Sequence, residues 1–288
     1  MAEKSTCSSC GEQGSSSCES CGDRQEGACS GAASHEPEKL AENDYSRIKN
    51  VYAVMSGKGG VGKSSVTALL ASGFKKKGYH VGILDADITG PSIPKMFGLQ
   101  GPAESTGFGI LPMTSPGGVK VMSLNLLVPR EDDPVIWLGP IIAGAVKQFW
   151  TDVLWGDVDY LFVDLPPGTG DVPLTVMQSL PVNGLIIVSS PQDLAVMVVK
   201  KAIRMAQIMS VPIIGLVENL SHAVCPHCGG EIELFGRGQG KKVSEELGIP
   251  FLGELPVDPL LSKLCDEGKV EEYQSNLFFH LIPEMIIH

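Results

Sequence analysis

The chain has 288 residues, 43% of them hydrophobic and 19% charged, so it can bury a sizeable core and is not expected to be disordered as a whole. Its formal net charge is −11 and it has no long run of Lys or Arg. This argues against a sequence-independent nucleic-acid binder, which needs a basic face to displace counterions from phosphates.

No targeting or membrane segment is visible in the sequence. Residues 1–39 contain no Val, Ile, Leu, Phe, Tyr or Trp, so they cannot form an apolar signal core or an amphipathic transit helix. No apolar run approaches the ~20 residues that span a bilayer. We expect a soluble, cytoplasmic protein that binds neither membrane nor nucleic acid. Its eight cysteines are then metal ligands or free thiols before they are disulfides.

The first segment, residues 1–44, is rich in Ser, Gly and Cys and has almost nothing to pack. We expect it to be a disordered tail unless a metal centre crosslinks it. Residues 45–288 have the texture of one folded domain, in which short apolar runs alternate with helix-length amphipathic stretches. The tail carries five cysteines: Cys7, Cys10, Cys18, Cys21 and Cys29.

The periodicity of the domain predicts an α/β fold. Strands are predicted at Val51–Ser56, Val81–Asp85, Lys120–Leu124, Tyr160–Asp164, Gly184–Ser189 and Ile213–Glu218. Helices are predicted at Ser64–Lys77, from about Ala143 to Val153, at Pro173–Leu180 and at Gln192–Met209. The Gly- and Pro-rich stretch Gly98–Gly118 predicts a long surface loop. Strands that are apolar on both faces and are separated by helices indicate a mostly parallel sheet covered by helices on both sides.

The stretch Gly57–Ser64 (GKGGVGKS) fits the P-loop pattern G-x-x-x-x-G-K-[ST], with a strand before it and a helix after it. Its glycines let backbone N–H groups converge on phosphate oxygens, assisted by the positive end of the helix. Lys63 is predicted to bind the β- and γ-phosphates, and the Ser64 hydroxyl to bind Mg²⁺. The alternative is a glycine-rich turn without a ligand. The predicted nucleotide contacts in the loop are Gly57, Lys58, Gly59, Gly60, Val61, Gly62, Lys63, Ser64 and Ser65.

A second lysine, Lys58, lies inside the loop beside Gly59 and Gly60. This arrangement resembles the deviant Walker A motif of the MinD/ParA/nitrogenase-iron-protein superfamily, which are P-loop NTPases of the SIMIBI type. In that superfamily this lysine reaches across a dimer interface to the phosphates of the partner. The resemblance therefore implies a slow ATPase that needs two facing chains; the alternative is a solvated lysine.

Acidic residues at strand ends complete the predicted nucleotide site, because ligands bind at the carboxyl ends of parallel strands. By the same resemblance, Asp87 orients the attacking water and Asp164 holds Mg²⁺, whereas Asp85 receives a structural role. The run that follows Asp164, Pro-Pro-Gly-Thr-Gly, is a loop that can move when the γ-phosphate leaves. Asn219 matches the position that contacts adenine, which favours ATP over GTP. The predicted catalytic residues are Lys58, Lys63, Asp87 and Asp164.

A close cysteine pair, Cys225 and Cys228, follows the last predicted strand in the sequence Cys-Pro-His-Cys-Gly-Gly. Together with the motifs at 85–92, 164–171 and 217–221, it resembles the Mrp/ApbC-type iron–sulfur cluster carriers over about residues 47–275. One pair supplies two thiolates, whereas clusters and structural zinc usually take four ligands. Two chains would supply four, so the resemblance favours a labile [4Fe–4S] cluster bridging a homodimer or a heterodimer with a paralogue.

Zinc is the alternative metal, because Cys-Pro-x-Cys-Gly is also half of a zinc ribbon that a tail pair could complete. Some members of the family carry a second cluster on an N-terminal four-cysteine motif, and the spacing here departs from that pattern. The best tail ligands are Cys18, Cys21 and Cys29, with Cys10 or Cys7 as the fourth. We expect His227 to be exposed and Cys265 to be a buried small hydrophobe.

The sequence supports one main functional hypothesis, an ATP-dependent carrier or scaffold that passes its cluster to apo iron–sulfur proteins. The alternative is a MinD/ParA-like positioning ATPase with a structural zinc site. A membrane-binding version of it should end in a basic amphipathic helix, but the last thirteen residues contain no Lys or Arg. A redox ATPase akin to nitrogenase iron protein is disfavoured, because that family places its bridging cysteines differently.

Overall fold

The computed structural model describes residues 39–87, 92–127, 139–191, 196–225, 227–236 and 238–274, of which 139–143 and 196–198 are described by their backbone alone. Within these residues the strands are β1 (Ser46–Ser56), β2 (Val81–Asp85), β3 (Ser105–Thr106), β4 (Gly109–Ile110), β5 (Met113–Thr114), β6 (Lys120–Ser123), β7 (Gly156–Asp164), β8 (Gly184–Ser189), β9 (Ile213–Val224), β10 (Glu231–Ile232) and β11 (Phe251–Val257). The α-helices are α1 (Lys63–Lys76), α2 (Ile93–Met96), α3 (Gly139–Thr151), α4 (Asp171–Ser179), α5 (Val196–Ile208), α6 (Gly240–Leu247) and α7 (Pro259–Asp266).

One sheet of nine strands organises the described part of the domain, in the order β10-β9-β8-β1-β7-β2-β6-β5, with β11 paired to β9. The pairs among β9, β8, β1, β7, β2, β6 and β11 are all parallel. The end strands β10 and β5 pair antiparallel with their neighbours. The mostly parallel sheet expected from the sequence is therefore confirmed.

Both faces of the sheet are buried, as alternation along β1 shows. Val51, Ala53 and Met55 pack into one apolar cluster, to which α3, α4 and α5 contribute. Tyr52 and Val54 point the other way into a second cluster, built largely with α1. Successive side chains of a strand point to opposite faces, so helices cover the sheet on both sides, as predicted.

Several elements differ from the sequence-based expectation. The stretch Gly98–Gly118 is not simply a loop: β3 and β4 form a hairpin there, and β5 joins the main sheet. Strands of two residues carry no readable alternation, which explains the error. The strand predicted at Ile213–Glu218 continues to Val224, and α6, β11 and α7 were not predicted. In α6 only two of eight residues, Val243 and Leu247, are large and apolar, too few for a helical pattern.

The residues just before β1, assigned by composition to the tail, are hydrogen-bonded to the domain. The Leu40 carbonyl accepts a bond of 3.0 Å from the Trp150 indole. The Asn43 side-chain amide donates to the carbonyls of Thr151 and Val153 at 3.0 and 2.7 Å. Residues 1–38 lie outside the described residues. Among the helices that are described, none combines the length and apolar character required to cross a bilayer.

Candidate functional site

The loop between β1 and α1 has the backbone of a phosphate-binding turn. Gly60 and Gly62 have φ values of +82° and +76°, which L side chains rarely adopt. Gly62 precedes α1, so the first turn of the helix opens directly from the loop. The loop lines a cavity of about 330 Å³, together with Asp87, Ser92, Met96 and Pro167. Amide groups at a helix N-terminus beside such a cavity are suited to bind an anion.

Lys63 lies buried between two carboxylates. Its Nζ is 2.8 Å from Asp164 Oδ2 and 3.3 Å from Asp87 Oδ2, and its side chain is 5% exposed. Burial by itself lowers the pKa of Lys63, but the carboxylates of Asp164 and Asp87 outweigh it and raise that pKa overall. The lysine is therefore held as a cation that faces the cavity.

Asp164 is the last residue of β7, and its carboxylate contacts three donor side chains from the first turns of α1. Besides pairing with Lys63, it accepts hydrogen bonds from the Ser64 hydroxyl at 2.5 Å and the Thr67 hydroxyl at 2.8 Å. Thr67 was not singled out by the sequence. Its spacing could have revealed it, because residues three and four positions apart lie on one helix face, and Thr67 follows Ser64 by three and Lys63 by four.

Asp85 is a structural neighbour of the site rather than a cavity-lining group. Its carboxyl is buried and accepts the Asp87 N–H at 3.1 Å and the Ser123 hydroxyl at 3.2 Å. Burial raises the pKa of Asp85 well above its ordinary value, and the nearby Asp164 carboxylate raises it further. Asp85 thus fixes the backbone of Asp87, which does line the cavity.

Asn219 joins β9 to the P-loop. Its side-chain amide is buried and donates to the Val61 carbonyl at 2.9 Å. A Cβ added to Gly62 would lie 2.1 Å from the Asn219 Nδ2. The close approach of the loop to this strand therefore favours glycine at position 62. Lys58 is exposed, and its carbonyl accepts a hydrogen bond from the Ser56 hydroxyl at 2.9 Å.

The cysteine pair lies just beyond the far end of β9, on an excursion of which residues 221–225, 227–236, 238 and 239 are described and which we call the cysteine arm. The Cys225 N–H donates to the Gly230 carbonyl at 2.8 Å, and the Gly229 N–H donates back to the Cys225 carbonyl at 2.9 Å. Backbone N–H groups of His227 and Cys228 bond to the Cys225 sulfur and lower the pKa of that thiol. Cys225 is half-buried, and Cys228 and His227 are exposed, so the expectation for His227 is confirmed.

The remaining cysteines fall into two groups. Cys265 is 8% exposed and packs in the core, as expected. The tail cysteines, Cys7, Cys10, Cys18, Cys21 and Cys29, lie outside the described residues, so their predicted ligand roles stay predictions. Within the described ranges, no group of three or more His, Cys, Asp or Glu side chains is arranged to hold a metal ion.

Comparisons with known proteins identify the family of the chain. A family model described as ParA, NUBPL iron-transfer P-loop NTPase, matches residues 47–284. An iron-sulfur cluster carrier protein of Methanocaldococcus jannaschii is 48% identical over 237 residues, covering 82% of this chain and 81% of the relative. One of Clostridium perfringens is 46% identical over 263 residues, covering 88% and 92%.

Solved structures show the same fold. A nucleotide-binding protein of Archaeoglobus fulgidus, in complex with ADP and with Co found, matches with 47% identity and a TM-score of 0.72, covering 80% of this chain and 91% of that one. A MinC:MinD cell division complex of Aquifex aeolicus, at 18% identity and a TM-score of 0.58, covers 82% of this chain and 95% of that one and shares the fold. This chain belongs to the ParA family, as an iron-transfer P-loop NTPase of the NUBPL type.

Proposed function

We propose that this chain is an ATP-hydrolysing iron–sulfur cluster carrier that holds a labile [4Fe–4S] cluster between two copies of itself and passes it to apo-proteins. One observation carries the proposal: the described domain offers a single accessible cysteine pair, Cys225 and Cys228, directly after strand β9, which also contacts the P-loop. The relatives that are named iron-sulfur cluster carrier proteins support the same activity.

The residues around the cavity fit a nucleotide and its Mg²⁺. Lys63 is a buried cation at the cavity wall, and the loop glycines leave backbone amides able to approach phosphate oxygens. Ser64 would hold the metal directly, and Asp164 would hold it through water. Mg²⁺ would neutralise charge developing on the phosphates. Asp87, beside Lys63 and lining the cavity, would orient the attacking water, and Asn219 would contact the adenine.

Lys58 supports a site completed by a second chain. It lies in the same loop as Lys63 but is exposed, whereas Lys63 is buried against Asp164. A lysine placed this way can reach phosphates bound by a facing subunit. Hydrolysis would then be slow in the single chain and would require the dimer.

The topology of the sheet supports one dimer face that serves both nucleotide binding and cluster binding. Strands β1, β8 and β9 run parallel, so the P-loop and the cysteine arm leave the sheet at the same edge. Two copies that face each other through this edge would bring two cysteine pairs together, which supplies four thiolates for one cluster. The alternative source of ligands is the tail, which would make a zinc or iron site within one chain.

Apolar side chains around the pair favour a facing partner over open solvent. Val224, Ile232, Leu234 and Phe235, all on the cysteine arm, are 40% to 52% exposed. Large apolar groups that lie exposed on one segment typically mark an interaction surface. A second copy of the chain would cover them in the same contact that completes the cluster.

Anaerobic reconstitution with iron and sulfide, followed by metal analysis and measurement of molecular mass, tests the proposal. The informative background is the full chain with all five tail cysteines changed to Ser, which isolates the pair in the domain. This variant should form a dimer holding about two iron atoms per chain, the share of one [4Fe–4S] cluster. Adding Cys225→Ser and Cys228→Ser should remove iron and sulfide, while Cys265→Ala should not.

Two outcomes would contradict the proposal. If the chain with its five tail cysteines changed to Ser binds no iron while wild type holds zinc as a monomer, the pair belongs to an intramolecular zinc site. If iron and sulfide stay bound after both Cys225 and Cys228 are also replaced in that variant, the cluster is held by other groups.

A further inference from the structure

A single irregular residue interrupts β9 between the P-loop contact and the cysteine arm. Leu220 has a φ of +59°, in the left-handed region that costs free energy for any residue with a Cβ. In the described part of the chain, only one other non-glycine residue, Ser210 at +53°, has a positive φ. Strained backbone of this kind persists only where the surrounding contacts hold it, and it concentrates at functional sites.

Leu220 is held in place through its two neighbours in the chain, each of which makes a hydrogen bond to another element. Asn219 is buried and bonded to the Val61 carbonyl of the P-loop. Ser221 is buried and donates its hydroxyl to the Leu255 carbonyl of β11 at 3.0 Å. With both neighbours fixed, the backbone at Leu220 cannot relax independently. The bend is therefore set jointly by the nucleotide loop and by the neighbouring strand.

The register of the sheet changes at the same point. Leu255 lies opposite Asn219, but Val257 lies opposite Ala223. Two steps along β11 thus correspond to four along β9. A strand with extra residues bends and redirects the side chains beyond the irregularity. Here those side chains lead into the cysteine arm.

The returning end of the cysteine arm is anchored next to the same residue. Glu218 is buried, and its carboxylate accepts the Gln239 and Gly240 N–H groups at 3.1 and 3.2 Å. Both ends of the cysteine arm therefore attach to β9 within one or two residues of Asn219. A displacement of Asn219 by a change in the P-loop would reach both ends of the arm.

We propose that Leu220 is a positioning residue that couples the nucleotide site to the cysteine pair. Phosphates bind the amides of the P-loop, a change at Val61 moves Asn219 through their hydrogen bond, and the strained joint converts this into a new direction of the cysteine arm. The inference rests on the proposed function, since it explains how nucleotide would control the lability of a cluster. The strained backbone of Leu220 is then the element through which nucleotide acts on the cysteine pair.

The test measures the alkylation rates of Cys225 and Cys228 by N-ethylmaleimide in the full metal-free chain, resolved by peptide mass spectrometry. Rates are compared without nucleotide, with Mg·ADP and with Mg and a non-hydrolysable ATP analogue. Wild type should show a change of about fivefold or more between states, the usual size of coupling between two sites. Leu220→Gly, which adopts the positive φ without strain, should reduce the ratio to near one and leave the nucleotide Kd within about twofold of wild type.

Two further variants separate coupling from general loosening. Ser210→Gly relieves the same kind of strain outside β9 and should keep the wild-type ratio. Leu220→Asn keeps a side chain in a residue that tolerates positive φ, and it should behave like Leu220→Gly if strain is the cause. A wild-type ratio retained in both Leu220 variants, or lost equally in Ser210→Gly, would overturn the inference.

Wild type itself distinguishes the two proposals. If it binds nucleotide and holds iron but shows no nucleotide-dependent change in alkylation, the coupling is absent and the carrier function stands. If it binds neither nucleotide nor iron, the proposed function itself has failed.

Discussion

The Ser64 hydroxyl donates a hydrogen bond of 2.5 Å to the carboxylate of Asp164, a residue 100 positions further along the chain. The same carboxylate is fully buried and also receives Lys63 and Thr67. Three donors from the start of α1 thus converge on one carboxylate at the end of β7. A buried carboxylate is costly unless it is paired and hydrogen-bonded, and these three donors supply its partners.

Asp164→Asn should remove most of the effect of Mg²⁺ on nucleotide binding. The amide keeps the volume of the side chain but loses the negative charge that would hold the metal through water. ATP hydrolysis should fall about 100-fold, the scale of removing one electrostatic stabiliser. Isothermal titration with ATP, with and without Mg²⁺, provides the direct measurement.

A matched control for this change lies on the same strand. Asp159 is also on β7 but bonds to Lys49 at the surface, so Asp159→Asn should leave the Mg²⁺ dependence intact. Equal losses in the two variants would show that Asp164 has no special role at the metal.

Gly62→Ala should destabilise the protein more than Gly60→Ala. Both positions have a positive φ, so each change carries about 1–2 kcal/mol of backbone strain. At Gly62 the new methyl would also meet the Asn219 amide at 2.1 Å, whereas Gly60 has no described atom within 4 Å of the added group. The extra cost at Gly62 should be at least about 1 kcal/mol, the worth of a buried hydrogen bond. Urea denaturation measures both, and equal costs would mean that the loop moves away from β9 freely.

The sequence predicted the centre of the sheet and the nucleotide loop because each is encoded by a short pattern of consecutive residues. Strands such as β2 and β8 are buried on both faces, so their residues are continuously apolar. The P-loop carries its own glycines and lysines at fixed spacing. Asp87 and Asp164 follow from the rule that ligands bind at strand carboxyl ends.

The features that were missed depend on contacts between distant residues. The pairing of β11 with β9 and the return of the cysteine arm to Glu218 join segments more than 20 residues apart. The positive φ of Leu220 has no local signal either, since leucine gives no hint of a turn. It arises because Asn219 and Ser221 are each held by a different element.

The stability of the domain should depend on Asp159 in a pH-dependent way. Its carboxylate accepts Lys49 Nζ at 2.7 Å and the His80 N–H at 2.8 Å, and these bonds lower the pKa of Asp159. A lowered pKa in the folded state adds stability above the unfolded value, and this is lost as pH falls through the folded value. Asp159→Asn should therefore lower Tm at pH 7 by about 2–4 °C. The difference should shrink below about pH 4, the ordinary pKa of Asp.

Calorimetry across this range checks the sign of the effect. Asp157→Asn, at an exposed position two residues earlier on β7, is the control and should change Tm little at either pH. A difference between wild type and Asp159→Asn that grows as pH falls below about 4 would contradict the assignment.

Mixing two inactive variants should show whether Lys58 acts on its own nucleotide or on that of its partner. Lys58→Ala and Asp87→Asn should each lose ATP hydrolysis when pure, since one lacks the lysine and the other lacks the carboxylate beside Lys63. In an equal mixture, half of the dimers pair one chain of each kind. If Lys58 acts across the interface, one of the two sites in such a dimer has its own Asp87 and the partner's intact lysine, so activity should return to about a quarter of wild type. If Lys58 acts within its own chain, both sites in every mixed dimer lack an essential group and the mixture stays inactive.

Mixing Lys63→Ala with Lys58→Ala extends the test. Lys63 is buried in the site of its own chain, so its loss should disable that site. In a mixed dimer, only the site in the Lys58→Ala chain should then recover ATP hydrolysis.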